Sequence, residues 1–137
     1  MDEIAEFLAG YPSSVAAQAQ RLHGLVLQAA PTAIARVRHG WHLIGYDLPV
    51  GRRTTYFAWV GVELKHVHVG WQVGTLMADP DLVLRGAQLR LKKVRYLTYK
   101  PTDKIPARVV LDFTRDAARI ASMSRGEREL LALAKSA

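Results

Sequence analysis

The chain contains no cysteine. Disulfide frameworks, thiol nucleophiles, thiolate zinc sites and iron–sulfur clusters are thereby excluded. Long apolar runs are missing as well, and none approaches the roughly 18 residues that a bilayer span requires. The N-terminus has no basic leader: MDEIAEFLAG opens on acids, which reads against a signal peptide and toward a cytoplasmic protein. There is no P-loop, dinucleotide fingerprint, G-x-S-x-G elbow or H-E-x-x-H helix. No cofactor and no metal ligand set is therefore assigned, and a binding domain is a better reading than an enzyme. Acids are absent from one long interval. Between Asp81 and Asp103 there is none, while Arg85, Arg90, Lys92, Lys93, Arg95 and Lys100 all fall within it.

What is present suits a single globular domain. The 137 residues are 50% hydrophobic, enough for a core that needs no disulfides. A net charge of +7 and a pI of ≈ 10.1 fit either a basic solvated surface or attraction to an anionic ligand or polyanion.

Periodicity predicts helices at both ends and strands between. Residues 2–9 place Ile4, Phe7 and Leu8 at helical spacing, with Asp2 and Glu3 at the positive end and Gly10 as a stop. A second helix spans about 14–29, with Val15, Ala19, Leu22, Val26 and Ala29 as its apolar stripe, widened by Leu25. Ser13 or Ser14 is expected to cap it and Ala30-Pro31 to end it. WHLIGY (41–46), TTYFAWVGV (54–62), HVHVGWQV (66–73) and VRYLTY (94–99) are rich in β-branched and aromatic residues and read as strands. Leu48-Pro49-Val50-Gly51 reads as a break and Glu63-Leu64-Lys65 as a hairpin turn; such short links favour an antiparallel meander. The connection 74–93 carries Asp79-Pro80 and a helical turn at 80–85. A third helix starts near Asp103 or Pro106 with Val109, Phe113, Ala117 and Ile120 buried and Arg108 paired with Asp112. The last, 125–135, has a capping box in Ser124 and Glu127, and Leu130, Leu131, Leu133 and Ala134 as its modest apolar content. The expected fold class is α+β: an antiparallel sheet of about four to five strands, with the N-terminal and C-terminal helices on one face. The other face is open, covered by loops, or used for association.

Alternation along 66–73 puts Val67, Val69, Trp71 and Val73 on the core face, and His66, His68, Gly70 and Gln72 on the other. Gly70 leaves room beside the histidines, and His42 joins them if the first strand pairs accordingly. The histidines are ordinary strand residues, a hydrogen-bonding ligand face, or part of a metal site; for the last, Glu63 is the closest acid. Most of the aromatics Trp41, Tyr46, Tyr56, Phe57, Trp59, Trp71 and Tyr96 read as core, and a few on the open face would make a stacking platform.

The segment HVHVGWQVGTLMADPDLVLRGAQLRLKKVR resembles the YdhG-like domains, a family of unknown function. Their pattern, H-V-x-L-G-F-x-x-G-x-x-L-x-D-P-x-x-L-L-x-G-x-G-K-x-x-R-H-V-K, is met by His66, Val67, Gly70, Gly74, Asp79, Pro80, Leu84, Gly86 and Val94. Trp71 stands for its aromatic and Arg95 for its last basic residue. FLAGYP, AAPTA, GWHLIGY and TYFAWV extend the likeness over about residues 5–122. It implies an antiparallel sheet flanked by helices. It departs where Gln88 and Leu89 replace the glycine and lysine of G-x-G-K, weakening a turn whose N–H groups would receive an anion. Some relatives are described as frataxin-like iron chaperones, but hard cations want carboxylates, and here the acids are few and scattered.

Three partner readings follow. The leading one is a small or anionic ligand on the open sheet face, contacted by His42, His66, His68, Arg90, Lys92, Lys93 and Tyr96. The second is nucleic acid along 85–100, with cations on phosphates and Tyr96 or Tyr99 stacking on bases. The third is a homodimer through the sheet or the C-terminal helix. No membrane partner is expected.

Overall fold

Five β-rich stretches pair strictly in chain order, each antiparallel to the last. A computed structural model describes residues 2–136. The strands are β1 (Ile34–Arg38), β2 (Leu43–Val50), β3 (Arg53–Val62), β4 (Val67–Trp71) and β5 (Arg95–Tyr99), in spatial order 1-2-3-4-5. The helices are α1 (Glu3–Leu8), α2 (Ser13–Ala29), α3 (Ala107–Ala121) and α4 (Arg125–Ser136). The architecture is α+β, with α2 and α3 packed together on one face of the sheet. Among the described residues no helix is long and apolar enough to cross a membrane.

The core face is the one the alternation assigns. Ile44, Tyr46, Val60, Val62, Val67, Val69 and Trp71 are buried against Val15, Ala19, Leu22 and Val26 of α2, and Val110, Ala117 and Ile120 of α3. Each such aliphatic side chain contributes about 1.5–3 kcal/mol by leaving water. The α3 stripe is rotated from the expected one. Thr114 and Ala121 are buried, while Val109 and Phe113 sit at the flank, Phe113 against the Trp71 ring at 5.6 Å. Thr114 interrupts the apolar pattern because its hydroxyl accepts the Trp71 indole N–H at 3.2 Å.

Several boundaries differ from expectation. The strand expected at 41–46 is β2, which starts at Leu43 and runs to Val50, and the first strand is β1. Trp41 instead closes a 3₁₀ turn and His42 follows it in the left-handed region at φ 55°. Pro49 does not break β2, because β1 begins at Ile34 opposite Asp47 and offers no partner beyond it for the missing N–H. The turn is Gly51-Arg52, with Gly51 at φ 62° leading a two-residue hairpin. His66, Gln72 and Val73 fall outside β4. No helical turn forms at 80–85. Instead the Asp79 carboxylate accepts the N–H groups of Val83 and Leu84, both at 3.0 Å. Neither Ser13 nor Ser14 caps α2, whose N-cap is Pro12. Asp112 faces Arg115 at 3.8 Å rather than Arg108. The Ser124–Glu127 capping box forms as expected, at 3.0 and 3.1 Å.

The glycines carrying the family likeness are packing positions. A side chain at Gly74 would overlap the Arg95 backbone, and one at Gly70 the Trp59 indole. Gly86 has φ 132° and lies against the Val94 carbonyl. Around it the chain bridges Arg85 to Tyr96, covering the outer edge of β5.

Candidate functional site: an aromatic cleft over three histidines

The face of the sheet away from the helices divides in two. On the β1 side, Arg38 lies over Gly45, stacks on Tyr56 at 4.2 Å and pairs with Asp47 at 3.3 Å. That half is closed by its own side chains. On the β3–β4 side, Gly61 pairs with His68 and Gly70 with Trp59, so two glycines lower the floor. The room beside Gly70 is not empty, however. The Trp59 indole lies across it and forms a wall.

Three connections raise the other walls. The 3₁₀ turn brings Trp41 and His42, the α1–α2 turn brings Tyr11, and the β3–β4 hairpin brings Glu63, Leu64, Lys65 and His66. Together they enclose a cleft of about 770 Å³. The Tyr11 hydroxyl contacts His42 Nδ1 at 3.3 Å, and the His42 carbonyl accepts the Val62 N–H at 3.1 Å. Burial, and next the Glu63 charge, push the Tyr11 phenol up. Trp41 is 69% exposed, far more than a core tryptophan, and its ring belongs to the cleft.

The polar centre lies at the hairpin. His66 and His68 have ring centroids 4.6 Å apart and direct their Nε2 atoms at one Glu63 oxygen, His68 at 2.7 Å and His66 in closer contact. On its other side, His68 Nδ1 meets the Thr98 hydroxyl of β5 at 2.8 Å. The His68 hydrogen bond holds the Glu63 carboxyl below the usual carboxylate range; desolvation opposes it, and His66 adds to it. Tyr96 stands beside the group, its ring 6.0 Å from His68 and 6.5 Å from Trp59.

The structure thus gathers His42, His66 and His68 in one cleft with Tyr96 at its margin, and leaves Arg90, Lys92 and Lys93 outside it. Arg90 takes a left-handed conformation at φ 56° in the loop before β5, and Lys93 borders a separate hollow with Arg125 and Arg128 of α4. Arg95 folds back on the preceding loop, donating to the carbonyls of Leu91 and Val94 at 2.8 Å. Tyr99 lies half-buried against the core. Of the basic run, Lys93 thus borders the α4 hollow and Arg95 is engaged with its own loop, while Tyr99 packs on the core. Gln88 answers its departure from the G-x-G-K pattern by folding back. Its side-chain oxygen takes the Gly86 N–H at 2.7 Å and its nitrogen donates to the Tyr96 hydroxyl at 3.2 Å, so that N–H is not free for an anion. Tyr11 and Lys65 escaped the sequence reading, which named Glu63 only as the acid closest to the histidines and Trp41 only among the strand aromatics. Only the i, i+3 and i, i+5 spacing of Glu63 to the two histidines across a short turn signalled any of these four.

The chain matches no family model, no curated protein and no solved structure.

Proposed function

We propose that the chain is a cytoplasmic binding module whose cleft over the β3–β4 hairpin takes a small ligand with a flat apolar body and an anionic group. The observation that carries this reading is the convergence of His42, His66, His68 and Lys65 in a cleft walled by the Trp41 and Trp59 indoles. Its volume lies within the roughly 300–1,000 Å³ range of small-molecule sites, and the mix of aromatic walls with a few polar groups is the usual one. The apolar body would lie between the indoles. Lys65 and the ring nitrogens of His42 and His66 that are not engaged with Tyr11 or Glu63 would receive the anion, since both nitrogens of His68 are taken by Glu63 and Thr98. The overall charge of +7 favours its approach.

A thermal-shift screen of aromatic carboxylates, aromatic phosphates and nucleotides tests this. A ligand bound only by the folded state raises stability by about 2.7 kcal/mol at a hundredfold excess over Kd. Trp41→Ala removes an exposed wall, and surface changes of this kind stay within about 0.5 kcal/mol, so the variant should fold normally. We expect it to lose most of the ligand-induced shift, while Lys92→Ala keeps it. A shift retained in full by Trp41→Ala and by the double variant His66→Ala/His68→Ala would place binding elsewhere.

A further inference from the structure

We propose that Glu63, His66 and His68 form a binding site for a divalent transition-metal ion of the Zn²⁺ class. Their ligand atoms, two imidazole nitrogens and a carboxylate oxygen, lie within 4.8 Å of one another. Around a tetrahedral ion with bonds of 2.0–2.1 Å, donor atoms stand about 3.3 Å apart, so small side-chain rotations suffice to seat one. The donors arrive on a single rigid hairpin. Val62 pairs with Val67, and the Glu63 N–H donates to the His66 carbonyl at 3.0 Å, closing the turn that carries Glu63 and His66, with His68 two residues further on in β4.

Thr98 completes the arrangement from the neighbouring strand. In the tautomer whose Nδ1–H donates to Thr98 Oγ1 at 2.8 Å, Nε2 presents its lone pair to an ion that it shares with Glu63; without the ion, Nε2–H donates to the Glu63 carboxylate instead. A fixed partner on the far ring nitrogen is the usual way a metal-binding imidazole is oriented. Glu63 keeps 55% of its side chain exposed and His66 36%, so the ion has a path in, and a fourth position faces the cleft. Two nitrogens and one oxygen select Zn²⁺, Co²⁺, Ni²⁺ or Cu²⁺ over Mg²⁺ and Ca²⁺, which prefer an all-oxygen shell. This site does not depend on the cleft taking an organic ligand. The competing account is that the three side chains form only a carboxylate–imidazole ion pair.

The test is calorimetric titration of Zn²⁺ into tag-free, chelator-stripped protein, repeated with Co²⁺ to read the visible absorption of a low-symmetry site. We expect one ion per chain, no binding of Mg²⁺ at the same concentrations, and loss of the site in His66→Ala, His68→Ala and Glu63→Gln. His39→Ala, outside the cluster, should bind as the parent does. Thr98→Val should weaken binding about 10–100-fold without abolishing it and shift the Co²⁺ spectrum, as expected of a positioning residue. Circular dichroism on each variant separates loss of the site from loss of the fold. No binding by the parent protein, or binding unchanged in all three ligand variants, would overturn the proposal and leave the ion pair alone.

Discussion

Trp71 owes its place to a residue that looks wrong for a helix stripe. Its indole is fully buried and its N–H has a single partner, the hydroxyl of Thr114, also fully buried. Replacing Thr114 by valine keeps the shape and strands the indole N–H. We expect Thr114→Val to cost about 1–3 kcal/mol, the range for a buried donor left unpaired, read as a drop in urea midpoint at unchanged slope. A neutral effect would mean that the bond contributes nothing. His23 is a second residue-scale case. Its Nδ1 meets the buried Tyr46 hydroxyl at 2.7 Å, and burial pushes the imidazole pKa below its ordinary 6.5, with Asp2 opposing weakly. The unfolded chain therefore takes up a proton near pH 6.5 that the folded one still refuses. Stability from this group is full above pH 6.5 and falls as pH drops toward the folded value. His23→Gln should flatten the melting-temperature profile in that window, and an unchanged slope would contradict it. The sequence carried no hint of either pair, because the partners are 43 and 23 residues apart and meet only through the fold.

At the scale of elements, the residues themselves disclosed most of the sheet. Alternation in HVHVGWQV assigned its two faces correctly, because a period of two leaves each side chain only one side to occupy. The short Glu63-Leu64-Lys65 link identified the hairpin for the same local reason. β1 escaped because Ile34-Ala35-Arg36-Val37-Arg38 mixes large cations into a short edge strand. Pro49 misled because the cost of proline depends on whether a neighbouring strand reaches that position. The motif glycines were legible as a pattern but not as a purpose. Gly74 is needed because the Arg95 backbone passes where a Cβ would stand, which ties the end of β4 to the start of β5. Backbone cannot swing aside as a side chain can. Gly74→Ala should therefore lower stability by about 1–3 kcal/mol or more through overpacking, and raise hydrogen exchange in β5 first. Unaltered exchange there would show that the two segments are not so coupled.

For the whole molecule, placing α2 and α3 on one side of a five-stranded meander leaves the other side to be finished by side chains and turns. Arg38, Tyr56 and Asp47 finish one half. The other half stays concave, since Gly61 leaves its floor bare while the Trp59 indole, laid over Gly70, and turns from three parts of the chain build its walls. Those walls explain why the site was only partly legible: Tyr11, Trp41 and Glu63 are remote from each other in sequence, and no periodicity links them. The basic run 85–100 was conspicuous in sequence, yet Lys93 borders the hollow beside α4 while Arg95 hydrogen-bonds back onto the loop before β5. The three tryptophans supply a direct test of the cleft as the binding site. Trp41 and Trp59 line it, and the Trp71 indole is sealed against Thr114 on the other side of the sheet. In a ¹H–¹⁵N spectrum of the protein titrated with the best ligand from the thermal-shift screen, the indole resonances of Trp41 and Trp59 should move in step with saturation while that of Trp71 stays in place. Stationary Trp41 and Trp59 signals, with movement confined to residues 85–93 or to α4, would contradict the assignment of the cleft.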